Sequence, residues 1–198
     1  MNRNKAMISI IVLLLLIAFF PLKWLFEQNK SLYDQIEHVI TAKDSDFKEL
    51  LHIHADRKRT LAFYTTNKSE LCVVLLKKKL HGYSWGAYIN RSSMFVGREL
   101  SWQGSESQET DIHLLYGVVE NPEITQILLI SEDSQPAHII KKGENAIWYF
   151  LAESSLKSPI TIQASNKNGK TLYETGNAEF WKQPILNIYP QIAYPSSL

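Results

Sequence analysis

The chain has 198 residues, with 21 Lys plus Arg against 20 Asp plus Glu, and 45% of it is hydrophobic. That is enough apolar material for the core of one domain or two small ones, and it excludes the profile of a disordered chain. A net charge of +1 leaves no basic excess to neutralise nucleic-acid phosphates, so no nucleic-acid partner is expected, and a single Cys excludes both an intrachain disulfide framework and a Cys-based zinc site.

At the amino terminus Arg3 and Lys5 precede an uncharged stretch, Ala6 to Leu22, containing an unbroken aliphatic run from Ile10 to Ile17. At about 1.5 Å per residue a helix over this stretch covers roughly 25 Å, slightly short of a hydrocarbon core of about 30 Å. Leu25 and Phe26 extend the apolar length, while Lys23 can snorkel outward and Trp24 suits the headgroup level. The pattern predicts an N-terminal transmembrane helix. A cleaved signal peptide begins the same way, but Phe19-Phe20-Pro21-Leu22-Lys23-Trp24 is bulky where a signal peptidase needs small residues. The expectation is therefore an uncleaved signal-anchor in the cell membrane, crossing once. Arg3, Lys5 and the amino terminus on one flank, against Lys23, Glu27 and Lys30 on the other, favour a short inner tail with the bulk of the chain extracytoplasmic.

From Ser31 to about Lys43 the apolar positions Leu32, Ile36, Val39 and Ile40 recur at helical spacing, and Ser31 suits an N-cap. Beyond Phe47 the period shortens, and β-branched and aromatic runs alternate with turn residues. Strands are predicted near Leu61 to Thr65, Leu71 to Leu76, Trp85 to Asn90, Ile112 to Val119 and Ile124 to Ile130. Four more are predicted near Ala137 to Lys141, Ala146 to Leu151, Ile160 to Ala164 and Thr171 to Glu174. Asn67-Lys68 marks the first reversal and Asn166 to Lys170 the last. Connections this short cannot hold crossover helices, so the sheets should be mostly antiparallel.

The expected fold class is α+β and β-dominated: a membrane helix, an amphipathic helix, antiparallel sheets and a β-sandwich-like C-terminal lobe. The polar stretch Ser101 to Asp111 reads as a boundary, or equally as one long hairpin loop. This gives a tail and anchor over 1–27, a helix-plus-strands lobe over 28–102, a sandwich-like lobe over 103–178 and an extended tail over 179–198 with Pro184, Pro190 and Pro195.

The succession His54 to Tyr64, Leu71-Cys72-Val73-Val74 with Lys77 and Lys78, and Gly82-Tyr83-Ser84-Trp85 resembles small exported or membrane-anchored proteins of Gram-positive spore-forming bacteria. Tyr116 to Val119, Asn121-Pro122-Glu123-Ile124, Trp148-Tyr149 and Gly169-Lys170 with Tyr173 continue the similarity, over some two thirds of the chain. These are packing and turn residues. The resemblance implies a location in the bacterial cell envelope and a fold, and it implies no activity.

His52, His54 and Asp56 alternate, so on a regular strand they share a face, and imidazoles with a carboxylate are suitable zinc ligands. The run also resembles the H-x-H-x-D-H of metallo-β-lactamase-type hydrolases, except that Arg57 stands where the final His belongs. The bland alternative is an exposed polar strand face. Cys72 sits in an apolar run and reads as a core thiol rather than a nucleophile. There is no G-x-S-x-G, no phosphate-binding glycine loop and no assignable acid/base pair, so no catalytic residue and no cofactor is assigned. Arg57-Lys58-Arg59 and Lys77-Lys78-Lys79 can contact anionic wall polymers or lipid headgroups if both fall at the same end of the sheet, although charged residues also simply protect strand edges. Tyr83, Trp85 and Tyr88 with Trp148-Tyr149-Phe150 suit a sugar-stacking platform or, more plainly, core and cross-strand pairs.

The leading expectation is a membrane-anchored extracytoplasmic domain with a binding or structural role, its partner an envelope protein or wall polymer. The alternative is a surface-anchored hydrolase using the His52, His54 and Asp56 face.

Overall fold

The computed structural model describes residues 31–176 apart from Val96, Glu132, Asp133, Lys157 and Ser158. The predicted anchor and the Pro-containing tail lie outside the described residues. Among the described residues no helix is long and apolar enough to cross a membrane. What they form is β-dominated, one short helix and antiparallel sheets, as the short connections require. The chain divides into two compact units, Met1–Asn67 with Val73–Tyr88 and Lys68–Cys72 with Ile89–Leu198. The division differs from the expected one after residue 102. The polar stretch read there as a boundary or loop contains a strand, Gln103–Ser107, whose residues carry no aliphatic side chain because it is a sheet edge.

In the first unit, α1 (Leu32–Thr41) starts at the expected cap. The Ser31 hydroxyl accepts from the Asp34 N–H at 3.1 Å, and the Asp34 carboxylate accepts from the Ser31 N–H at 3.2 Å. Ile36 and Ile40, four residues apart on one face, are fully buried, whereas Leu32 and Tyr33 in the first turn are exposed. Then come β1 (Phe47–Ala55), β2 (Thr60–Thr66), β3 (Glu70–Lys79) and β4 (Gly82–Ser93), hydrogen-bonded in that order as a meander, with residues 70–72 of β3 and 89–93 of β4 counted in the second unit. Strand β2 is buried at every position, which is why its sequence reads as a run rather than an alternation. The lower end of the unit is tied together by the Asn67 N–H donating to the Asp46 carbonyl at 2.7 Å and the Tyr64 hydroxyl donating to Asp44 at 2.7 Å.

The second unit holds β5 (Gln103–Ser107), β6 (Ile112–Val118), β7 (Gln126–Ile130), β8 (Ser134–Pro136), β9 (His138–Lys142), β10 (Asn145–Leu151), β11 (Thr161–Ser165) and β12 (Thr171–Thr175). They make two sheets, ordered β5-β6-β10-β9 and β12-β11-β7-β8. One core is shared: Leu115 and Trp148 from the first sheet meet Ile127, Leu129, Ile162 and Ala164 from the second. This is a β-sandwich. With β5 to β12 lettered A, B, C, C′, D, E, F and G, the sheets are A-B-E-D and G-F-C-C′, the strand order of the immunoglobulin sandwich. The disulfide that joins B and F in antibody domains has no counterpart here, because apolar Leu115, Ile162 and Ala164 fill those strands and the lone Cys72 is buried on β3.

Gly117 on β6 lies opposite Trp148 on β10. The Trp148 indole N–H donates to the Ser101 carbonyl at 2.8 Å, and the Val118 N–H donates to the Ser101 hydroxyl at 2.9 Å. A Cβ on Gly117 would come within 2.0 Å of that same Ser101 carbonyl oxygen. The close crossing of the 101 segment over β6 therefore requires glycine for space, not for backbone freedom.

Candidate functional site

A meander alternates its turns between two ends. The β1–β2 turn (residues 56–59) and the β3–β4 turn (80–81) thus lie at one end of the first sheet, with the turn at residues 67–69 at the other. The condition on the two basic runs is met. Two strand spacings of about 4.8 Å set the turns about 10 Å apart across the sheet. Arg57, Lys58, Lys77, Lys78 and Lys79 are all exposed there. Between Lys79 and His81, at the tip of the second hairpin, Leu80 is 92% exposed.

The helix begins at this same end. A Cβ on Gly82 would stand 3.1 Å from the Gln35 side-chain oxygen, which places the first turns of α1 beside the β3–β4 turn. Exposed Leu32 and Tyr33 precede Gln35 in that helix. Asp34 and Asp56 are both engaged locally, Asp34 in the capping box and Asp56 in the β1–β2 turn.

Asp56 organises its turn. One carboxylate oxygen accepts from the backbone N–H groups of Lys58 at 2.7 Å and Arg59 at 2.6 Å; the other lies 3.4 Å from the Arg59 side-chain Nε and 3.4 Å from His54 Nε2. Burial pushes this carboxyl up, but the Arg59 and Lys58 N–H donors, the His54 contact and the Arg59 guanidinium outweigh it and hold the pKa at about 2. Arg59, only 5% exposed, is the partner that the basic run hides.

The structure thus brings His54 and Asp56 together, while the His52 ring packs 6.1 Å from the Phe63 ring. The register of β1 is regular from His52 to Ala55, so His52 and His54 share a face, but Asp56 lies past the end of the strand, where the N–H groups of the β1–β2 turn hold its carboxylate. Among the described residues no group of three His, Cys, Asp or Glu side chains is placed to hold a metal ion. A carboxyl held near pKa 2 contributes stability above its ordinary value of 3.8 that is lost as pH falls toward 2. Asp56→Asn should cost about 1 kcal/mol at neutral pH, the small size reflecting solvent screening. Thermal melts of the two proteins should converge over that acid window.

Elsewhere the sequence candidates disperse. Cys72 is fully buried. Trp148 and Tyr149 are buried too, Tyr149 stacking on His138 at 5.0 Å, so that run is core rather than an open platform. Tyr83 and Trp85 are half-buried, and only Tyr88 of that trio is exposed. The sandwich carries a groove of about 300 Å³ lined in part by Leu129, Gln135, Phe150, Glu153 and Ile160.

One cluster had no signal beyond its residue types. Buried His113 on β6 has Glu106 3.2 Å from Nδ1 and Asp111 3.6 Å from Nε2, and the same Glu106 oxygen accepts from the Leu156 N–H at 2.8 Å. The carboxylates face opposite ring nitrogens, so they cannot converge on one ion. Their effect is to tie β5 and the segment after β10 to β6.

No protein-family model matches the chain, and no curated protein or solved structure matches it.

Proposed function

We propose that this chain is a single-pass membrane protein whose β-dominated part is extracytoplasmic and serves a binding or structural role, with an envelope protein or wall polymer as partner. The observation that carries the reading is the uncharged Ala6–Leu22 segment between Arg3 and Lys5 on one side and Lys23 and Trp24 on the other. The paired sheets of the second unit support the binding half by analogy, since such sandwiches commonly present loops and faces to partner molecules.

Two measurements test the two halves. The chain should stay in the membrane pellet through alkaline carbonate extraction, and protease added to intact cells should remove its β part. Recovery of an intact form that begins beyond Phe26 in the culture fluid would overturn the anchor. Crosslinking of intact cells followed by purification should recover a reproducible partner, and a chain recovered alone would count against the binding role.

A further inference from the structure

We propose that the turn end of the first sheet docks on anionic lipid headgroups of the bilayer that holds the anchor; this inference rests on the membrane reading above. Its basis is a juxtaposition that the fold creates from distant segments. Arg57 and Lys58 come from the β1–β2 turn, Lys77 to Lys79 from the end of β3 with Leu80 in the turn after it, and Leu32 and Tyr33 from the first turn of α1.

Charge complementarity selects the partner. Five exposed basic side chains gather at one end of a chain whose formal net charge is only +1. Asp56 is matched by Arg59 and Asp34 is bound in its cap, which leaves exposed Arg57 and Lys77 to Lys79 to carry the charge of this end. A phosphate-rich surface would satisfy this arrangement, and each basic side chain near such a surface strengthens partitioning about fivefold.

Leu80 makes the second argument. A leucine at a hairpin tip, 92% exposed and flanked by Lys79 and His81, gains nothing from the folded chain. Beside lysines that neutralise headgroups, it can enter the boundary between headgroup and acyl chain, as the apolar faces of interfacial segments do. Tyr33 offers the amphipathic ring typical of the same depth.

Tether length makes the third. From Phe26 to Ser31 the chain reaches at most about 17 Å even when fully extended. The helix start is therefore kept within about two Debye lengths of the surface at physiological salt, and Gly82 at this end of the sheet lies beside Gln35 in the same helix. Docking is then effectively intramolecular and needs little intrinsic affinity.

The test uses the full chain reconstituted in vesicles of phosphatidylcholine alone or mixed with phosphatidylglycerol, with a fluorophore on His81→Cys. Native Cys72 is buried and does not compete for the label. Acyl-chain-brominated lipids should quench the label at least about twofold more with phosphatidylglycerol, and the combined Lys77→Glu, Lys78→Glu and Lys79→Glu variant should fall back to the phosphatidylcholine level. An unchanged thermal transition shows that the variant is folded.

Flotation separates the two proposals. A chain that floats with both vesicle types in high salt, yet shows equal quenching in both, keeps the anchor and overturns the docking. A chain that floats only with phosphatidylglycerol and only in low salt overturns the anchor and supports the docking. If soluble polyglycerol phosphate releases the label from anionic vesicles that still retain the chain, the end prefers a wall polymer and the lipid assignment falls.

Discussion

Gly117→Ala is expected to lower the stability of the sandwich by about 3–5 kcal/mol, a large fraction of what a domain of this size holds in total. The added Cβ would sit 2.0 Å from the Ser101 carbonyl oxygen and 2.9 Å from the Trp148 indole nitrogen. The oxygen belongs to backbone, so it cannot turn aside as a side chain would. Relief requires the 101 segment to lift, which breaks the bonds Ser101 makes to the Trp148 indole and to the Val118 N–H and carbonyl. Gly104→Ala is the matched control. Its Cβ meets only the Leu115 Cδ2 atom, at 3.3 Å, and a leucine methyl can shift at a cost below about 1 kcal/mol. Thermal melts should separate the two variants by about 10–20 °C, and equal transitions would mean that the 101 segment does not cross β6 as described.

Trp148→Ala should be as damaging, at about 3–5 kcal/mol, because this fully buried indole spans the interior between the two sheets. Trp148→Phe distinguishes volume from hydrogen bonding. It keeps much of the ring but leaves the Ser101 carbonyl without the indole N–H, for an expected loss of about 1–3 kcal/mol. The Gly117 and Trp148 substitutions act on the same carbonyl, so the double variant should lose less than the sum of the single losses. Denaturant unfolding followed by far-ultraviolet circular dichroism measures all three, and strict additivity would show that Ser101 does not couple the positions.

Where the sequence pattern was clear, a single physical cause usually dominated. The helix was legible because Ser31, Ile36 and Ile40 supply cap and stripe together. The nine strands expected from apolar runs all appear, with ends displaced by a few residues: hydrogen bonding continues past the apolar part of runs such as β3 and β4, and begins after buried Ile124 in β7. Three other strands lacked that signature. In β1 two register shifts break the alternation, and the adjacent Leu50 and Leu51 are both buried. β5 is a polar sheet edge, and β8 has only three residues. Strand order within the sandwich was not legible at all, because crossing from one sheet to the other depends on the shared core rather than on local pattern.

The basic end was half legible. Its residues were visible, but their coincidence depended on counting turns through a meander whose first strand carried no clear alternation. The pairing of Arg59 with Asp56 was hidden because neighbouring cations in sequence gave no sign that one turns inward. His113 was hidden for the complementary reason: its two carboxylates come from a polar stretch without aliphatic residues, which reads as a boundary or loop.

Pro136 ends the three-residue β8, and Lys141 and Lys142 end the neighbouring β9. These are the outer strands on one flank of the sandwich, where β8 closes one sheet and β9 the other. A tertiary amide nitrogen without hydrogen and two cationic side chains make that flank a poor template for a visiting strand. Crowded copies would consequently resist zippering there into extended ribbons, and the protein can be concentrated without this flank seeding fibres.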